Sequence, residues 1–373
     1  MLSPLSSVTL SVNQSIDPSE KQSEKLSLKL SEWLKGLVRT QLQFNTNTAA
    51  ETLLGIDFGS QRIYAVALRY HPATPHQPAR YQLQSMACVA TPNGAILDHQ
   101  IHNLPQVVRA LGELRRLLKV RRRNVATAVT GSSVTTKILH VPNSLPPEML
   151  ALHVQQAAAG QLPFPLADIS LDFEMLKSCA LHADCDQVLL SAARTEHVQA
   201  RVKALRQAGW HAQVVDIGSH ALARAVNFLL QPRLGQLVAT LELSTESLTF
   251  MVLTDGEIIY QRVQPLAADV EEAKLDNHDY SELVISQVQR QWQLFCSHLE
   301  QAPPEQLMLC GSYPDLAKLV PLLNQRLGIA VQEPDFSRAF GHTARIASHL
   351  YLEAAAFSTA LGLALRRDMP CLT

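Results

Sequence analysis

Leu53–Leu68 reads LLGIDFGSQRIYAVAL. An apolar strand ends at Asp57, Gly59 and Ser60 make a tight turn, and a second apolar strand departs from Ile63. Glycine suits a turn whose backbone must curl and come close to another group. A carboxylate at the strand's end points into the same space. Backbone amides there can meet phosphate oxygens while the carboxylate organises a magnesium ion. Most Asp-x-Gly turns are plain hairpins, so the motif gains meaning only with support from elsewhere in the chain.

That support is a second copy. Leu237–Leu253 reads LVATLELSTESLTFMVL, with Glu242 at the place of Asp57 and Ser244 at the place of Gly59. Ala65–Leu68 and Phe250–Leu253 then stand at equal offsets past the two acidic residues. A repeat of acidic-ended strand, polar turn and apolar strand predicts two similar α/β halves facing across a cleft, each giving one hairpin. The alternative is two unrelated meanders.

The 373 residues suit two domains. With 32 Lys and Arg against 33 Asp and Glu, the net charge is −1, and no bulk field recruits nucleic acid or anionic lipid. The six cysteines form no C-x-x-C pair, which fits a reducing compartment. No apolar run has the length of a membrane span, and MLSPLSSVTLSVNQ lacks the flanks of a signal peptide, so a cytoplasmic chain is expected.

Residues 1–51 read as a Ser-rich flexible extension with one amphipathic helix, capped at Asp17 and carrying Leu26, Leu30, Trp33, Leu34 and Leu37 on one face. The helix packs on its own domain or meets a membrane or partner. The first half spans 52–235, with an α+β insert at about 92–190; a shortened second half spans 236–367, and 368–373 is a tail. Pro163-Phe164-Pro165 forces an extended path, a rigid elbow on the plainest reading. The run Arg115, Arg116, Lys119, Arg121, Arg122, Arg123 reads as a solvated helix end, with lipid phosphate or nucleic acid as the alternatives. Asp216, before Gly218-Ser219, is expected to cap a helix, and one last helix is expected over about Leu350–Arg367. No catalytic triad, Walker loop or metal-ligand motif occurs, and no catalytic residue is assigned.

GIDFGS at 55–60, GSSVTTKILHVP at 131–142 and LPFPLADISLDFEML at 162–176 resemble the PilM family, the actin-like component of type IV pilus assembly. LLSAARTEHV at 189–198, AGWHAQVVDI at 208–217 and LGLALRR at 361–367 extend the resemblance. It implies an actin-like (ASKHA) α/β fold of two halves with a cleft. It implies ATP between the halves, touching Asp57, Gly59, Ser60, Gln61, Glu242, Ser244, Gly311 and Ser312, with Mg held through Asp57. It also implies that the short N-terminal tail of a PilN-like bitopic inner-membrane protein docks near the insert, for which Pro163, Phe164 and Pro165 are the candidates. The chain would then be cytoplasmic, peripheral to the inner membrane through PilN-like and other pilus components.

The chain departs from that family at the phosphates. Tyr64 stands where the family has Lys, Glu242-Leu243-Ser244 replaces Asp-x-Gly, Pro265–Ala267 replaces a Gly-Gly pair, and Gly311-Ser312 replaces another. A serine Cβ restricts close approach, and the longer Glu disturbs strict magnesium geometry. A scaffold with weak or lost hydrolysis is therefore expected. An active nucleotide-switched ATPase and an FtsA-like division protein are the alternatives.

Overall fold

The computed structural model describes residues 51–131, 134–143, 146–162, 164–176, 185–266, 277–298, 303–314, 316–343 and 346–366. The expected N-terminal helix, Pro163 and the tail lie outside them.

Strands β1 (Glu51–Phe58) and β2 (Arg62–His71) form the hairpin read from the sequence, pairing Asp57 with Tyr64 and Gly55 with Val66. A Cβ on Gly59 would sit 2.5 Å from the Arg62 carbonyl oxygen, so only glycine closes this turn. β3 (Arg80–Ala90) completes an antiparallel meander. A small ribbon of β4 (Ile96–Leu97) and β5 (Gln100–Ile101) leads into helix α1 (Leu104–Leu118). The Asn103 side chain caps that helix, accepting from the Gln106 amide at 3.2 Å. β6 (Asn124–Val129) then joins the other side of β1 in parallel.

The chain next builds a separate antiparallel sheet from β7 (Val134–Pro142), β8 (Ile169–Met175) and β9 (Cys185–Arg194), in the order β7-β9-β8. Helix α2 (Pro147–Ala159) covers one face, burying Val154 and Ala158 against Leu139, Val141, Val188 and Leu190. Helix α3 (Thr195–Gln207) returns the chain to the first sheet, where β10 (His211–Ile217) lies parallel to β6, and α4 (Gly218–Leu230) follows. The finished order is β10-β6-β1-β2-β3.

The second half repeats this plan. β11 (Val238–Leu243), β12 (Ser247–Thr254) and β13 (Glu257–Pro265) form the meander. Asp255 and Gly256 turn its second hairpin at φ of 52° and 86°, the pair of left-handed residues a tight hairpin demands. After helix α5 (Asn277–His298), β14 (Gln306–Cys310) runs parallel to β11. Helix α6 (Leu316–Leu327) and β15 (Ala330–Gln332) complete the order β13-β12-β11-β14-β15. The two sheets thus share one topology strand for strand, with the acidic residues at equivalent strand ends.

Short helices α7 (Phe336–Phe340), α8 (Ser348–Leu352) and α9 (Ser358–Ala364) end the described chain. The single helix expected over 350–367 is broken: a 3-10 turn at Ala354–Phe357 separates α8 from α9. α9 wedges between β1 and α4. A Cβ on Gly55 would lie 2.2 Å from the Ala360 carbonyl oxygen, and one on Gly362 would lie 1.7 Å from that of Ala221. These two glycines let backbone pack on backbone across the first half's core.

Candidate functional site

Asp57 and Glu242 end their strands facing one another across the cleft, each half-buried. Burial pushes Asp57 up to about 6, against the pull of the Arg201 guanidinium and the Phe58 amide. Burial pushes Glu242 to about 7, and the Asp57 charge pushes the same way; the Thr359 hydroxyl, donating to Oε1 at 3.3 Å, opposes both.

The cation beside Asp57 comes from α3. Arg201 is 1% exposed, and its guanidinium lies 5.9 Å from the centre of the Phe58 ring. It donates to the carbonyls of His99 and His197, the latter at 3.3 Å. Its Nε has no hydrogen-bond partner among the described residues. Desolvation lowers the guanidinium to about 10, with Asp57 holding it up. Sequence reading missed this residue. The signal was present: His197, Arg201, Ala204 and Leu205 share the buried stripe of α3, and an arginine on such a stripe needs a counter-charge.

The two turns differ in what their amides can reach. In the first, Gly59 N–H donates to Arg62 O at 3.1 Å and Thr91 holds the loop from below, its hydroxyl donating to Gly59 O at 2.8 Å and its amide to Gln61 O at 2.9 Å. Among the described residues no acceptor takes the amides of Ser60 or Gln61. In the second turn the Ser244 hydroxyl oxygen accepts the amides of Glu246 at 3.2 Å and Ser247 at 3.0 Å. Two of the donors that could meet an anion there are taken by a side chain of the same turn, the Glu246 amide among them; among the described residues no acceptor takes the Thr245 amide.

Tyr64, opposite Asp57, does not project as a lysine would. It is 5% exposed and packs edge-on against Phe357 at 5.0 Å, and burial pushes its hydroxyl to about 12. Arg62 pairs with Glu353 at 3.0 Å, tying the first turn to the C-terminal segment. Gly311 has φ 110°; a Cβ there would lie 2.1 Å from Leu243 O, and its amide donates to Ala355 O at 3.0 Å. Ser312 follows, half-buried. Six of the eight expected nucleotide contacts therefore sit on the two hairpin turns and two on the β14 turn.

The site fits a magnesium nucleotide on one side. Asp57 and the open Ser60 and Gln61 amides could hold an anion and its metal. The opposite side fits less well, because Ser244 occupies the Glu246 and Ser247 amides and Gly311 N–H is bonded to Ala355 O. Among the described residues no group of three or more His, Cys, Asp or Glu is arranged to hold a metal by itself.

Asp216 is not the helix cap expected from its position. Ile217 precedes α4, and Asp216 accepts from the Ile217 amide at 2.8 Å, pairs with Arg224 at 3.1 Å and also binds Arg366. The two cations hold its carboxyl below the ordinary range despite burial. At the insert, Arg194 lies 5.0 Å from the Phe164 ring centre, and Lys137 Nζ donates to Gln161 O at 2.7 Å. Gln161 is thus tied to β7 and Phe164 lies against the end of β9, with Phe164 half-buried and Pro165 exposed.

A family model described as type IV pilus assembly protein PilM matches residues 55–277, more than half of the chain. The chain belongs to the PilM family. A solved structure, the PilM–PilN type IV pilus biogenesis complex, is similar at TM-score 0.68 and 24% identity, over 84% of this chain and 98% of that one. Weaker likenesses include the ethanolamine utilization protein EutJ of Carboxydothermus hydrogenoformans (TM-score 0.45, 13% identity, 91% and 98% covered). A Bacteroides thetaiotaomicron protein with an actin-like ATPase fold gives TM-score 0.44 at 11% identity, with 88% and 100% covered. The doubled sheet plan of this PilM-family chain is the actin-like fold. Among the described residues no helix is long and apolar enough to cross a membrane.

Proposed function

We propose that this chain is a cytoplasmic scaffold of the type IV pilus machine that holds the short N-terminal tail of a PilN-like bitopic inner-membrane protein against its insert, with ATP turnover weak or lost. The observation that carries the second clause is the Ser244 hydroxyl on the Glu246 and Ser247 amides. Tyr64 locked on Phe357 and Arg201 beside Asp57 support it, since the first removes a phosphate-seeking cation and the second already neutralises the carboxylate. The open Ser60 and Gln61 amides favour a second reading, in which nucleotide still binds on one side.

For the first clause, the support is a built insert surface beside an eroded clamp. Phe164 is braced by Arg194, while Ile138 on β7 is 54% exposed and Met149 on α2 is 50% exposed. Calorimetry of the full chain with a synthetic tail peptide, with and without ATP and magnesium, tests both clauses. Tail binding independent of nucleotide and lost in Phe164→Ala is expected. ATP turnover, or no tail binding by the wild type, would overturn the corresponding clause.

A further inference from the structure

We infer that the end of the first half where α1 and α3 finish is a docking surface for an anionic lipid bilayer. The sequence showed only a run of cations; the fold brings a second element to it. Arg115 Nη1 donates to Ala208 O at 3.0 Å, just past α3, and the His211 amide donates to Arg123 O at 2.8 Å. These bonds gather Arg116, Lys119, Arg121 and Arg123 with Arg206 of the last turn of α3, all five exposed.

The plainer account is that cations merely complement two helix C-termini. It covers Arg116 and Arg206, which lie in final turns. It does not cover Arg121 and Arg123. The helix stops at Leu118, Lys119 turns away at φ 53°, and the two arginines follow outside it. Among the described residues none of the five cations forms an ion pair, and Glu113 is the one acidic residue between 104 and 124. In a chain of net charge −1, this end carries a local field the whole does not.

A bilayer fits better than nucleic acid. No aromatic residue interleaves the run from 115 to 124 to stack on bases. Leu117, 51% exposed among the cations, offers an apolar group to the headgroup layer. α3 runs from this end to Arg194 at the insert, about 20 Å at 1.5 Å per residue. A membrane-anchored peptide could span that with about six extended residues.

The test is flotation of the full chain with phosphatidylglycerol–phosphatidylcholine vesicles at about 0.1 M salt, beside pure phosphatidylcholine vesicles and a short DNA duplex. Binding to the anionic vesicles alone is expected, weakening with salt. Each removed cation lowers partitioning about five-fold, so Arg116→Gln, Lys119→Gln, Arg121→Gln and Arg123→Gln together should lower it by about two orders of magnitude or more. Removing four exposed arginines elsewhere, Arg69, Arg80, Arg262 and Arg338, should lower it far less. These side chains are all exposed, so both variants are expected to melt like the wild type. Equal losses in the two variants, undiminished binding in the first, no vesicle binding, or a preference for the duplex would each overturn the inference.

Discussion

Replacing Glu242 with Gln removes one of the two neighbouring carboxylates while keeping an oxygen to accept the Thr359 hydroxyl. The folded chain holds the Glu242 proton up to about 7, against an ordinary value of 4.5. An acid whose folded pKa is raised lends most stability below its unfolded value, and that contribution is lost as pH climbs through the folded value. The wild type therefore bears the cost of an ionised, buried Glu242 at pH 8. At about 1.4 kcal/mol per pKa unit, the cost is about 3 kcal/mol. Glu242→Gln should recover it, raising stability by about 3 kcal/mol at pH 8 and by less than about 1 kcal/mol at pH 5, where Glu242 is already protonated in the folded chain. Urea unfolding followed by tryptophan fluorescence at the two pH values measures both gains, with Trp210 buried as the reporter. A gain of the same size at both, or a loss at pH 8, would refute the reasoning, since Glu242 would then be ionised and satisfied in the native cleft.

Ser244→Gly frees the Glu246 and Ser247 amides; we expect about 1 kcal/mol lower stability and, by calorimetry, nucleotide affinity raised at least about ten-fold if the hydroxyl is what excludes phosphate. Asp216→Asn leaves Arg224 and Arg366 short of a counter-charge and should cost about 3–5 kcal/mol. Its effect should fade on acidification, because stability from a carboxyl with a lowered pKa is lost as pH falls through that pKa, and a pH series of unfolding midpoints checks this. Gly362→Ala drives a methyl into the Ala221 carbonyl and should lower the melting temperature sharply or leave the chain insoluble, with a cost of about 3 kcal/mol or more.

The hairpins at 57 and 242 were legible because strand pattern, turn chemistry and equal offsets are local properties. Their shared topology follows from the repeat. What the sequence could not show were contacts closed over long separations. Ser244 read as a Cβ that crowds a phosphate; its hydroxyl turns out to occupy the amides instead, which depends on turn geometry. Tyr64 read as a missing lysine, but its partner Phe357 arrives from the other end of the chain. Asp216 read as a cap because two arginines, one of them Arg366, could not be assigned to it by spacing. The break before α9 falls where the chain makes two long-range contacts that spacing does not reveal, Ala355 O with Gly311 N–H and Thr359 with Glu242.

The α9 wedge sets an order of assembly. Residues 358–364 are made after every strand of the first sheet and after the whole second meander, yet they cover one side of β1, the strand at the middle of that first sheet. Until they arrive, Val66, Leu68 and Ala221 lack the part of their cover that α9 supplies, and the nascent protein carries that apolar face open while the second half is made. A chain lacking Ser358–Ala364 would therefore keep that face open for good, and a chaperone would find a long-lived target on it.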